Sequence, residues 1–357
     1  MTASMLVAVT GGTGLIGSHT VAALVRAGHR LRLLVRDPQA VDTVLGPLGV
    51  PAGTVETAVA DVTDERAVER GLRGADAVLH AGSVFSFDSR QRAAMRRTNA
   101  RGTEVVLAAA RRIGADPIVH VSSVVALMPS PHAPLRADSP VGRPREAYMS
   151  TKAASERVAR RHQADGAPVV ITYPPAVLGP HDPRMGDQMT RLRDALRGRT
   201  PLWPTGGFPV GDVRDTADLH AAVMRPGGTS GRWFGPGHYL TTREYLQTLR
   251  HVTGRALPAA YLPARAMLPI GAFVDAVQRA VPVHIPAEYG AIYTCACATR
   301  VADRAPLPAG ARARPFAGTM ADAVRWLHST GQLTDRQAGS AVALTPTSAD
   351  VPIGGTP

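Results

Sequence analysis

Lysine is nearly missing from this chain. Of its 40 lysine and arginine positions 39 are arginine, so Lys152 stands alone, and Asn99 is likewise the single asparagine. Cysteine occurs twice, at Cys295 and Cys297. Two thiols one residue apart make a poor disulfide and an incomplete metal site, so they are expected to be reduced strand residues of a cytoplasmic protein with no metal centre. Aromatic residues make up 4 % of the chain, and the net charge of +12 is spread in pairs of arginines rather than gathered in one block. That pattern argues against a nucleic-acid surface. Long hydrophobic runs are missing too. Residues 1–10 are apolar but short, carry no basic leader and run into a glycine-rich motif. Residues 267–283 are interrupted by Pro269, Asp275, Gln278, Arg279 and Pro282. Neither stretch reads as a signal peptide or a membrane span.

What is present is enough for a globular protein: 357 residues, 45 % of them hydrophobic, predict two lobes around a real core. Residues 5–9 form an apolar β-branched run, as in a strand buried on both faces. The run ends in Thr10, Gly11, Gly12, Thr13, Gly14, Leu15, Ile16 and Gly17, followed by a helical pattern with Val21, Leu24 and Val25 on one face. Strand, glycine loop and helix in that order predict dinucleotide binding. Gly11 permits the tight turn, Gly14 lets the backbone approach a pyrophosphate, and Gly17 lets the helix pack on the strand. A second strand at 31–35 ends in Arg36, nineteen residues past Gly17. An arginine there favours the 2′-phosphate of NADP, while the adjacent Asp37 leaves NAD open.

Further strands are expected at 55–59, 76–80, 118–121 and 169–173, alternating with helices at 65–72, at 91–113 and from about Glu146. This alternation predicts an α/β fold with a doubly wound parallel Rossmann sheet that binds ligands at its strand C-terminal ends. Residues 1–178 form this domain, and a capped helix within 212–226 packs back on it. Residues 179–335 form a smaller, mixed substrate lobe. Residues 338–357, rich in small and polar residues with no hydrophobic period, read as disordered.

Tyr148 and Lys152 lie four residues apart in a helical run over 148–164, so phenol and ammonium share one face. Together with Thr10–Gly17, Asp61-Val62, His80-Ala81-Gly82, Asn99-Ala-Arg-Gly-Thr103, Val121-Ser-Ser123 and Tyr173-Pro-Pro-Ala-Val-Leu-Gly-Pro180, the chain resembles the extended branch of the short-chain dehydrogenase/reductase superfamily, of the NAD-dependent epimerase/dehydratase type. The resemblance covers nearly all of residues 5–335. It implies that Tyr148 gives or takes the proton, Lys152 holds the nicotinamide ribose, Ser123 holds the substrate oxygen and Asn99 orders the proton-relay side. It also implies that Asp61, Val62, His80, Ala81, Gly82, Tyr173, Pro174, Ala176 and Val177 border the cofactor, with His80 structural.

The chemistry agrees, since a neighbouring ammonium favours phenolate and should lower the tyrosine pKa. Val124 and Val125 stand where sugar dehydratases carry acids, and Pro174-Pro175 where epimerases offer an asparagine. The chain therefore looks nearer the dihydroflavonol 4-reductase and 3β-hydroxysteroid dehydrogenase side, with Phe85, Phe87, Val125, Met128 and Tyr173 as apolar candidates near the site. The expected function is an NAD(P)-dependent oxidoreductase for an apolar carbonyl or alcohol, NADP-preferring. Its substrate is a small molecule, with neither nucleic acid nor membrane as partner. The alternatives are a nucleotide-sugar epimerase and, in another class, an NADP-sensing binding protein without chemistry. The resemblance also implies a homodimer through the helices around 91–113 and 148–164.

Overall fold

The computed structural model describes residues 4–228, 230–280, 288–302 and 312–343. The strand β1 (Leu6–Thr10) is buried at every position, as its unbroken apolar run requires. It is followed by α1 (Leu15–Arg26), β2 (Arg30–Val35), α2 (Ala40–Leu45), β3 (Glu56–Val59), α3 (Glu65–Leu72), β4 (Ala77–His80), α4 (Arg92–Arg112), β5 (Ile118–Val121), α5 (Ala147–Ala164) and β6 (Val169–Tyr173). Asp64 caps α3 by accepting the Ala67 N–H, satisfying one of the helix's free donors.

Beyond them lie β7 (Ala176–Leu178), α6 (Asp187–Leu196), β8 (Leu202–Pro204), β9 (Gly207–Asp212), α7 (Val213–Val223) and β10 (Arg232–Phe234). Then come β11 (His238–Thr241), α8 (Thr242–Thr253), β12 (Ala260–Leu262), α9 (Ala264–Ala280), α10 (Tyr289–Cys297), α11 (Phe316–Ser329), α12 (Asp335–Ala338) and α13 (Ser340–Ala343).

The main sheet has seven strands in the order β10-β6-β5-β4-β1-β2-β3, all pairs parallel. Its order reverses between β1 and β4, which opens a crevice at their C-terminal ends. One face buries Val68, Val106, Ile118 and Met149 under α3, α4 and α5. The other buries Val9, Val21, Leu24, Leu219 and Val223, so α7 packs on α1 beside the glycine loop. The second lobe has a three-stranded sheet β11-β9-β7 and a two-stranded sheet β12-β8, over a separate core including Leu192, Tyr245, Met320 and Leu327.

Three expectations need correction. β10, in a passage assigned to the substrate lobe, pairs in parallel with β6, so it completes the nucleotide sheet. Cys295 and Cys297 lie on a helix, α10, rather than on a strand; both are free thiols. Ala338 ends α12 and Ser340–Ala343 form α13, with Ala338 and Ala341 buried against the second core; Thr334 and Gln337 form the capping box that starts α12. The rest of the expected disordered tail lies outside the described residues. Among the described residues no helix is long and apolar enough to cross a membrane.

Candidate active site

The glycine loop is shaped by close backbone approach. Gly11 has φ +74, and a Cβ there would come within 2.6 Å of the Ala81 carbonyl; a Cβ on Gly17 would collide with the Gly11 carbonyl oxygen. Only glycine fits both places. Gly14 caps α1 without any side-chain hydrogen bond, and the first turn of α1 carries no acid. The first N–H groups of α1 are thus left without a side-chain acceptor at the positive end of the helix dipole, a cradle that suits a pyrophosphate.

Beneath the loop, Thr10 Oγ1 lies 2.7 Å from His80 Nδ1 and accepts the Gly82 N–H at 3.1 Å, while His80 Nε2 lies 3.2 Å from Thr103 Oγ1. Burial lowers the His80 pKa to about 3, with the Lys152 charge adding. The imidazole is therefore a neutral hydrogen-bonding strut under the cradle.

A cleft of about 580 Å³ runs from Gly11, Gly14, Leu15, Ile16 and Gly17 past Ala81, Ser123, Tyr148 and Lys152 to Pro174, Ala176 and Val177, and on into the second lobe. Thr13 and Arg36 instead line a separate cavity at the end of β2. Asp61 is engaged locally, accepting from Thr63 N and Oγ1 at 2.9 and 2.6 Å. Those bonds, then the Arg36 charge, hold its carboxyl below the usual range against burial. Val62 packs against Gly82 and Gly102, and Gly12 against Leu33.

Strand β5 delivers Ser122 and Ser123 in different directions. Ser122 donates to Glu156 Oε2 at 2.7 Å, in the core, while Ser123 turns to the cleft, donating to Pro174 O at 3.5 Å and accepting the Val125 N–H at 3.4 Å, beside Tyr148. Glu146 caps α5 by accepting the N–H groups of Tyr148 and Met149 at 3.0 and 2.8 Å, which fixes the turn that carries the phenol. Phe85 and Phe87 meet the Tyr148 ring edge-on, with centroids 4.7 and 5.8 Å away. One turn later Lys152, 4 % exposed, donates to the Val121 carbonyl at 3.0 Å.

The electrostatics overturn the expectation that Lys152 depresses the phenol pKa. Burial pushes Tyr148 well above its ordinary value, and the Glu146 and Asp187 charges push the same way; only the neighbouring Ser123 hydroxyl opposes them. The ammonium is engaged with Val121, so the apolar cage dominates. Burial also lowers Lys152 to about 8, against the attraction of Glu156.

Other placements also differ from expectation. Tyr173 is fully buried and donates to Glu156 at 2.7 Å, and Met128 belongs to the core; neither lines the cleft. Asn99 donates to Val84 O and Thr151 Oγ1 at 3.0 and 2.9 Å and accepts from Val84 N at 2.8 Å. It clamps the loop after β4 onto α5, the helix that carries Tyr148 and Lys152.

The sequence reading passed over Glu146, Glu156, Arg184 and Arg191. Glu156 had a signal, lying one helical turn past Lys152. Arg191 stands 5.0 Å over the Phe87 ring and pairs with Glu288 at 3.3 Å, partners too distant in the chain for any local pattern.

A switch-point cleft with a glycine cradle and a serine, tyrosine and lysine set at its wall defines a nucleotide-dependent enzyme class. The model of the NAD dependent epimerase/dehydratase family matches residues 7–234. Sterol demethylase protein B of Methylococcus capsulatus is 29 % identical over 77 % of this chain and 83 % of its own. Ceramide reductase of Caulobacter vibrioides is 30 % identical over 76 % of this chain and 78 % of its own. The crystal structure of gox2253, at 23 % identity, superposes with a TM-score of 0.75, covering 93 % of this chain and 100 % of that one. The chain belongs to the NAD-dependent epimerase/dehydratase family and is an NAD(P)-dependent oxidoreductase of the extended short-chain type.

Proposed function

We propose that this enzyme reduces a carbonyl group on a large apolar substrate, or oxidises the matching alcohol, with a preference for NADP. The observation that carries the reading is the cleft itself. Beyond Ser123 and Tyr148 its wall is formed by Phe85, Phe87, Val125, Trp203, Phe208 and Met267, a surface that favours apolar ligands. Relatives named for sterol and ceramide chemistry support the same substrate class. The preference for NADP rests on Arg36 beside the cavity at the end of β2.

The nicotinamide nucleotide, when bound, supplies or accepts the hydride. The Ser123 hydroxyl donates a hydrogen bond to the substrate oxygen, stabilising charge that grows there. Tyr148 delivers its proton to the same oxygen in reduction and removes it in oxidation. Lys152, whose ammonium carries three donors and spends one on the Val121 carbonyl, has two left for ribose hydroxyls. Phe85 and Phe87 pack edge-on against the phenol ring and give it apolar neighbours. A homodimer through α4 and α5 and a cytoplasmic location belong to this reading.

A screen of ketones, aldehydes, sterols and nucleotide sugars, followed by reduced-nicotinamide absorbance with NADH and NADPH in parallel, tests it. Apolar ketones should oxidise NADPH faster than NADH. A second reading, nucleotide-sugar epimerisation, draws on Arg191 and Arg199 at the far end of the cleft, although Arg191 already has a carboxylate partner. Sugar conversion with no net nicotinamide change would replace the first reading with the second.

A further inference from the structure

We infer that Arg184, supplied by the substrate lobe, is a second cationic clamp on the cofactor's 2′-phosphate, opposite Arg36. The inference rests on the NADP preference proposed above. At the end of β2 a cavity of about 350 Å³ is lined by Thr13, Arg36, Asp37, Ala40 and Arg184, among others. Arg184 lines this cavity and the main cleft as well, so it stands between the two. Its Nη2 lies 3.5 Å from Thr13 Oγ1, on the glycine loop 171 residues earlier.

The loop that carries Arg184 is tightly built. Asp182, 5 % exposed, accepts the N–H groups of Arg184 and Gly186 at 3.2 and 2.9 Å. His181 and Met185, on either side, hold φ of 59 and 47, a region that side chains adopt only when their surroundings impose it. The His181 ring packs near Trp326, with centroids 6.5 Å apart. The guanidinium is thus presented from a fixed turn.

The charge pattern selects an anion. Arg36 and Arg184 both face the cavity, and neither makes an ion pair among the described residues. Asp37 is the one acid in the lining, and its Oδ1 already accepts the Gln39 N–H at 3.0 Å. The α1 N-terminus, with Gly14, Leu15 and Ile16, lies in the main cleft and suits the pyrophosphate. An anion beside Thr13 and Arg36 is therefore a different one, and a phosphate held between two guanidinium forks matches their geometry. The clamp would also fasten the substrate lobe to the nucleotide sheet when NADP binds.

Fluorescence titration of the full chain with NADP⁺ and NAD⁺ tests this without turnover, using the wild type, Arg184→Gln, Arg184→Lys and Arg36→Gln. Loss of a charge-assisted phosphate contact predicts about tenfold weaker NADP⁺ binding for Arg184→Gln. NAD⁺ binding should change less than about twofold, with partial recovery in Arg184→Lys. Equal weakening of both nucleotides, or of neither, overturns the inference. A wild type that binds NAD⁺ as tightly as NADP⁺ sinks the underlying preference instead. If only Arg36→Gln lowers NADP⁺ affinity, the preference stands and Arg184 has no part in it. The thermal midpoint of Arg184→Gln should match the wild type; a drop of many degrees with both affinities lost would make Arg184 structural and overturn the clamp.

Discussion

In the nucleotide half, each site residue stands at or just beyond the end of an element whose own sequence places it: the glycine loop after β1, Arg36 after β2, Ser123 after β5, and Tyr148 and Lys152 in the first turns of α5. In the substrate lobe the cleft wall is assembled from α6, β8, β9, α8, α9 and α10, and no one of these explains its own position. The first half presents its nucleotide side through a backbone crossing at the glycine loop; the second lines its cleft with side chains from several elements, and its own close backbone crossings, such as Gly206 against the Cys295 carbonyl, hold those elements together. Chemistry should therefore depend steeply on single atoms in the first half, while the second half absorbs change and tunes what enters.

The largest effect expected is at Tyr148. Tyr148→Phe removes one oxygen from the cage of Phe85 and Phe87 and should lower turnover by about 10²- to 10⁴-fold, with nucleotide affinity kept within about twofold. Steady-state rates beside a binding titration check this. Substantial activity in the variant would move the proton step to another group and leave the frame without its central residue.

Next comes Gly17→Ala. With the Gly11 carbonyl in the way, the loop or α1 has to shift, at a cost of about 1–3 kcal/mol. Denaturant unfolding should show this, together with weakened nucleotide binding, because the same shift moves the helix N-terminus away from the pyrophosphate. Unchanged stability would mean that the loop is less tightly built than its contacts indicate.

These local tolerances explain which parts of the fold are legible in the sequence. The glycine loop, the β-strand run before it and the i, i+4 pair on α5 are short-range patterns, and they placed the sheet and most of the cleft's nucleotide side. Patterns of that kind do not report where a polar atom finds its partner. Tyr173 looked like a ligand-facing strand end, yet its hydroxyl is turned to Glu156 on α5. Nor does any local pattern show that the Asn99 amide holds Val84 and Thr151. β10 is three residues, Arg232–Phe234, too short to show a period. α10 is apolar around most of its surface, so its Cys295 and Cys297 resembled a strand.

A smaller effect is expected from pH. Lys152 has a folded pKa of about 8, against about 10.5 for a free lysine. Below pH 8 the ammonium is present in the fold, and the burial cost of the charge is borne in full. Between about 8 and 10.5 the unfolded chain keeps a proton that the folded chain has released, so stability should rise with pH through that window. Nucleotide affinity should fall through the same window, because the ribose loses its cationic donor. Opposite slopes in thermal midpoint and in binding titrations from pH 7 to 10 are the signature. Parallel slopes would point to a general effect of charge rather than to Lys152.

The smallest expected effect sharpens the contrast most directly, because it repeats a glycine-to-alanine change in the other half. Gly318 lies in the first turn of α11, exposed, and a Cβ there meets nothing within 4 Å. With no collision to resolve, the change only removes backbone freedom from the unfolded chain, and Gly318→Ala should stabilise by about 0.5–1 kcal/mol. The urea midpoint should rise with an unchanged slope. Opposite signs at Gly17 and Gly318 would follow from the difference in construction: one glycine is required by a backbone crossing, the other fills a position that any helix former could take. A loss of stability at Gly318 would show instead that α11 is constrained there by contacts that the open space around the glycine does not reveal.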